Sequence, residues 1–135
     1  MGGLAGRLED YAAVMIGGAL GAVARWRLSA FIDSRASSLY PWGTLAVNLL
    51  GSFFLGFVMG ASAYYGVFSR WERLLLATGF AGAFTTFSTF MYESFVLLSE
   101  GPSYYGLTNI VSSVVLGLAM VYAGLVAAGV VYGRL

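Results

Sequence analysis

The sequence predicts an all-α membrane protein with four transmembrane helices per subunit, the third broken at its centre. Three observations predict it. Hydrophobic residues make up 59% of the 135-residue chain and charged residues only 10%. Soluble domains carry roughly 25% charged residues, so a water-facing surface is hard to build here. Four apolar stretches reach the ~20 residues that a spanning helix needs, at about 11–32, 43–65, 74–98 and 107–132. They leave little chain for a soluble domain, so residues 1–135 read as one transmembrane domain. Finally, the centre of the third stretch is made of small residues, hydroxyls and rings rather than Leu, Ile and Val.

Taken in order, residues 1–10 are short, Gly-rich and charged, and are expected to fray or lie at the interface. They lack the apolar core and small-residue cleavage site of a signal peptide. The first span loses its apolar character after Ala24, where Arg25 and Arg27 follow. Within it, Gly17 and Gly21 form a G-x-x-x-G surface that lets another helix approach closely. Asp33 to Pro41 is a polar connection whose Tyr40-Pro41-Trp42 suits the lipid headgroup level. The second span carries Asn48 inside it and Gly51, Ser52, Gly56 and Gly60 for close packing. Arg70, Glu72 and Arg73 mark the next turn, and Gly101-Pro102 closes the third span. The fourth carries Asn109, Ser112 and Ser113 in its first half. No internal repeat is visible.

The third span holds GFAGAFTTFSTFMYES over residues 79–94. Phe84, Phe87 and Phe90 recur every three residues, so Phe87 and Phe90 are expected to point roughly the same way on a helix. Ring edges carry positive partial charge, and Ser88 and Thr89 beside them are hydrogen-bond donors. Together they are suited to stabilise an anion without a cation. The plain alternative is packing, with the hydroxyls bonded back to the preceding turn. Gly79, Gly82 and Thr85-Thr86 suggest an unwound segment, tolerated at membrane depth only when buried in protein or lining a cavity. Here too close helix packing is the plain alternative. Asn48 offers two donors, either to an anion or across helices. Arg25 either lines an aqueous vestibule or reaches the headgroups, and Glu93 lies near the end of its span.

Charge excludes several function classes. The net charge is +1, against a nucleic-acid binder driven by basic patches. There is no cysteine and no histidine, which removes thiolate chemistry, the usual metal ligand and the usual near-neutral proton shuttle. No nucleophile–base pair, metal-ligand set or phosphate-binding loop is visible, so an enzyme is not expected. With four spans, Arg7, Arg70, Arg73 and Arg134 fall on one side and Arg25, Arg27 and Arg35 on the other. That near-balance under the positive-inside rule lets a chain insert both ways and pair with an inverted copy. The alternative is one orientation winning on a small margin.

Three stretches carry a resemblance: GGALGAVARW (residues 17–26), PWGTLAVNLLG (41–51) and TGFAGAFTTFSTFMYE (78–93). Together they closely resemble the small fluoride channels of the Fluc, or CrcB-like, family. The likeness is specific in the first three spans and looser in the fourth, where Asn109 to Met120 can be placed. It implies an antiparallel, dual-topology homodimer in a bacterial cell membrane. Two pores would pass fluoride passively and selectively, relieving its toxicity. Carried over by position, Phe87 and Phe90 are the pore phenylalanines, Asn48 the pore amide and Ser113 the fourth-helix hydroxyl. Thr44, Ser88 and Thr89 belong to a polar track, and Arg25 lies near the vestibule. Gly82 and Thr85 supply backbone carbonyls with which two subunits enclose a structural sodium ion. Glu93 resembles a family acid, Ala83 stands where some relatives have glycine, and Asn109 is at a position expected to vary. Two other readings stay open. One is a proton-coupled exporter of the small multidrug-resistance type, which needs a membrane carboxylate that only Glu93 supplies. The other is a non-transporting membrane subunit held together by its Gly-rich faces.

Overall fold

The structure, a computed structural model, describes residues 4–133 and is helical throughout its regular elements, with no strand among the described residues. Arg134, counted above in the charge balance, lies outside them. Helix α1 spans Leu4–Asp33 and α2 spans Trp42–Tyr65. Helix α3 covers residues 70–84, built of Arg70–Arg73, a wide-turned stretch Leu74–Ala81 with π-type hydrogen bonding, and Gly82–Phe84. After a break, α4 spans Phe87–Ser99 and α5 spans Ser103–Tyr132.

Among the described residues, three helical segments are long and apolar enough to cross a membrane: α2, α3 and α4 taken together, and α5. Helix α1 is not among them, although it is 30 residues long. Its charged ends and the Arg25/Arg27 pair interrupt the apolar run, so four crossings do not follow from length and composition. It also begins earlier than the sequence suggested, at Leu4. The bidentate contact of Arg70 with Asp10, at 2.7 and 3.2 Å, ties that early turn to the start of α3.

Each helix end has a physical cause. The side chain of Asp33, the last residue of α1, accepts the Gly43 N–H at 2.8 Å. That satisfies one of the donors that the first turn of α2 cannot pair internally. Helix α2 stops at Gly66, whose φ of +62° is the left-handed conformation glycine adopts without strain. Ser69 and Glu72 form a reciprocal capping box at the start of α3.

Glycines set how closely the helices approach. A Cβ added at Gly17 would strike the Leu75 carbonyl, and one at Gly21 the Phe80 carbonyl. The G-x-x-x-G face of α1 therefore seats on the wide turns of α3. Helices α2 and α5 approach just as closely: a Cβ at Gly56 would strike the Val121 carbonyl and one at Gly124 the Phe53 carbonyl. Val47, Val58 and Ala128 are buried in this body. The outward faces stay apolar, with Leu20, Val115, Leu118 and Val131 exposed, as a lipid-facing surface requires.

Candidate functional site

The break between α3 and α4 falls on Thr85 and Thr86. Both are extended, with φ/ψ of −86°/160° and −148°/114°. β-branched residues fit extended backbone readily. Of the residues expected to unwind, the Thr pair does so and the two glycines stay helical. Gly79 is helical and packs against the Val14 carbonyl and Gly17, which is the close-packing reading of that residue. The Thr85 hydroxyl bonds back to the Ala81 carbonyl at 3.1 Å. Thr86 caps α4: its hydroxyl oxygen accepts the Thr89 N–H at 3.3 Å and lies 2.9 Å from the Thr89 hydroxyl.

Asn48 holds the unwound backbone open. Its Oδ1 accepts the Thr86 N–H at 2.7 Å, and its Nδ2 donates to the Thr86 carbonyl at 3.1 Å. A side-chain amide thus replaces the two partners that a continuous helix would supply. One Nδ2 hydrogen remains for another acceptor. One turn on, Gly51 makes room for the Thr85 methyl group, which an added Cβ would strike. From α1, Arg25 Nη1 donates to the Thr85 carbonyl at 3.4 Å. The half-buried Arg25, expected at a vestibule, reaches the break.

A cavity of about 290 Å3 opens beside this point, lined among others by Asn48, Ser52, Thr86, Phe87, Phe90 and Ser113. It brings together five of the site residues singled out in the sequence: Asn48, Thr85, Phe87, Phe90 and Ser113. The rings lie 6.0 Å apart at 58°. They are not equivalent: Phe90 is 6% exposed and Phe87 74%. Phe87 sits in the first turn of α4, where no neighbouring helix covers it. The Ser113 hydroxyl is buried without a partner. Extended Thr85 and Thr86 also leave the first N–H groups of α4 without a preceding turn to pair with, and that end carries positive partial charge.

Other expected residues lie elsewhere. Ser88 and Thr89 are exposed and are not among the cavity's lining residues. The Thr44 hydroxyl donates to Glu93 Oε1 at 2.9 Å, so its one proton is committed to that carboxylate. Glu93 lines a second cavity of about 460 Å3 with Asp33, Tyr40, Tyr92 and Glu100. Sequence reasoning treated Ser52 only as a packing residue and missed the exposed start of α4. The hydroxyl one position after Gly51 was the available signal for the first, and the Thr-Thr pair before Phe87 for the second.

Comparison with known proteins decides the family. Residues 12–125 match the family described as CrcB-like protein, Camphor Resistance (CrcB). The chain belongs to the CrcB-like family. Its relatives include a protein of Geobacter sulfurreducens named "Fluoride-specific ion channel FluC", 44% identical over 116 residues, covering 86% of this chain and 94% of that one. "Fluoride-specific ion channel FluC 1" of Methanosarcina acetivorans is 48% identical over 84% of this chain and 86% of its own. A Pyrococcus furiosus protein named "Fluoride-specific ion channel FluC" is 45% identical over 90% of this chain and 97% of its own. The CrcB-like family is one of ion channels and not of enzymes.

Proposed function

We propose that this CrcB-like chain is a passive, selective fluoride channel that relieves fluoride toxicity by letting the ion leave a bacterial cell across its membrane. The observation that carries the reading is the cavity at the helix break. There Phe87, Phe90, an Asn48 N–H and the unpartnered Ser113 hydroxyl meet around neutral surroundings. Fluoride is small and tightly hydrated, so dense donors must replace its water. A lysine in the path would hold it too firmly, and conduction needs weak, multiple sites.

The working unit in this reading is an antiparallel homodimer with two pores. Supporting it are the exposed Phe87 ring, which a second copy could cover, and the near-equal arginine balance on the two sides. In this unit α1 completes four spans, with Ser88, Thr89 and Thr44 continuing the polar track beyond the cavity. The carbonyls of Gly82 and Thr85 fit a shared sodium ion. Gly82 loses its helical donor because the Thr86 N–H turns to Asn48, and Gly82 is exposed. Thr85 keeps a lone pair beside its long contact with Arg25. Bound there, sodium would supply a positive charge tying four neutral oxygens of two subunits together.

The experiment is fluoride-electrode efflux from liposomes holding only the purified protein, with the membrane voltage shunted by a potassium carrier. Efflux without a proton gradient is expected. Vesicles that keep their trapped fluoride would refute the channel. Glu93→Gln, which would abolish a proton-coupled exporter, should leave efflux in place.

A further inference from the structure

Helices α4 and α5 form an antiparallel hairpin, and three cross-pairs share one register. Nearest the turn, Gly106 lies so close to Leu98 that an added Cβ would meet its Cγ. One turn further, Asn109 Nδ2 donates to the Ser94 hydroxyl at 2.9 Å. One more turn on, Phe90 and Ser113 line the same cavity. Stepping four residues back along α4, from Ser94 to Phe90, matches stepping four forward along α5, from Asn109 to Ser113. Each step is about one helical turn, or ~6 Å of rise.

The middle rung is fully enclosed. Asn109 is 0% exposed and Ser94 is 2% exposed. The Ser94 hydroxyl passes the contact on, donating to the Phe90 carbonyl at 2.7 Å. Asn109 Oδ1 has no donor, so one half of the amide is left unsatisfied while the other half is held on Ser94. A buried amide is costly without partners. Here its paired half reaches the backbone of a ring that faces the cavity.

We propose that Asn109 is a positioning residue for the anion pathway: through Ser94 it sets the α4–α5 register that holds the Ser113 hydroxyl opposite the Phe90 ring. This rests on the channel reading above. A hydrogen bond that only glued two helices would serve anywhere along them. This one sits a single turn from the pathway, on the same face of α5 as Ser113, and ends on Phe90 itself.

The test is a double-mutant cycle between Asn109→Leu and Ser113→Ala, read by fluoride efflux and by thermal unfolding in detergent. Asn109→Leu should lower efflux by roughly three- to thirtyfold, the span that the worth of one interhelical hydrogen bond allows. In the Ser113→Ala background the same change should lower efflux little further, while its effect on unfolding persists undiminished. Efflux losses that multiply across the two backgrounds would overturn the proposal, as would a loss of stability with efflux unchanged. Ser94→Ala removes the same rung from the milder side and is run through the same cycle, which decides the matter if Asn109→Leu does not fold. Wild-type vesicles that retain fluoride would sink the channel reading, and the proposal with it. Wild-type efflux with multiplying losses sinks the proposal alone.

Discussion

Removing the Asn48 amide should cost stability and conduction in separable amounts. Asn48→Ala deletes both bonds to Thr86, whose residue is only 8% exposed. Each buried backbone group left unpaired costs about 1–3 kcal/mol, so two cost roughly 2–6 kcal/mol. Interhelical hydrogen bonds in membranes measure lower, about 0.6 to 1.7 kcal/mol each, which gives ~1–3 kcal/mol for the pair. The ranges overlap at about 2–3 kcal/mol, and that is the expected loss. Extended Thr86 cannot re-enter a helical ladder to recover it. Asn48→Asp is the discriminating variant. Its carboxylate still accepts the Thr86 N–H, but its second oxygen faces the Thr86 carbonyl and the charge is partly buried, so at least as much stability is lost as in Asn48→Ala. It also places a negative charge on the cavity wall, so fluoride efflux should fall further than in Asn48→Ala. Unfolding by SDS in mixed micelles, followed by tryptophan fluorescence, gives the first quantity, and the fluoride electrode gives the second. An Asn48→Ala protein within ~0.5 kcal/mol of the parent, less than one such bond, would refute the clamp. An Asn48→Asp protein that conducts as well as Asn48→Ala would remove Asn48 from the pathway.

Three further outcomes are expected. Gly124→Ala should lose about 1–3 kcal/mol by overpacking against the Phe53 carbonyl. Gly117→Ala should be near neutral, because the nearest atom is the Ser52 hydroxyl at 3.9 Å; equal unfolding curves for the two would contradict the packing. Phe87→Ile and Phe90→Ile should each slow efflux by about tenfold, the effect of ~1.4 kcal/mol of lost anion stabilisation, and full efflux in both would clear the rings of any part in conduction. The hydrogen bond from Arg70 holds the Asp10 carboxyl below its ordinary value of 3.8. A depressed acid contributes above its unfolded value, so this tether should be complete at neutral pH and fail only as pH falls below that value. Amide exchange over residues 6–12 should therefore speed up in acid, in high salt and in Asp10→Asn; unchanged exchange in Asp10→Asn at neutral pH would show that the pair holds nothing.

Periodicity and composition made most of the architecture legible. Gly17 and Gly21 announced a close helix contact, and the structure seats them on Leu75 and Phe80. Asn48 was legible as a buried amide, but not its partner, because Thr86 lies 38 residues away. Gly79, Gly82 and the Thr85-Thr86 pair pointed to an unwound segment somewhere across residues 79–86. Tertiary packing narrowed it to the threonines: Gly79 serves close approach to α1, while Thr85 and Thr86, with β-branched side chains and an amide to receive their backbone, are the residues that unwind. The helical start of α1 was hidden because its tether to Arg70 is non-local. The pairing of Thr44 with Glu93 was hidden for the same reason. Local pattern reports which residues want burial or a turn. It does not report which distant group answers them.

In the proposed channel the break would also account for how a path without lysine attracts an anion. Unwinding two residues makes two helix ends where one continuous helix would have none. The carbonyl end of α3 carries about half a negative charge and the N–H end of α4 about half a positive one. The negative end meets Arg25, which donates to Thr85 O. The positive end opens at Phe87, on the cavity that holds Phe90 and the free Ser113 hydroxyl. The two partial charges are thereby sent to opposite partners instead of cancelling. In the proposed channel the cavity would gain a diffuse positive potential from these dipoles, enough to draw a halide in without a fixed ion pair from which it would have to be torn. Asn48 maintains that separation, because closing Thr86 back into a helix would erase both ends at once.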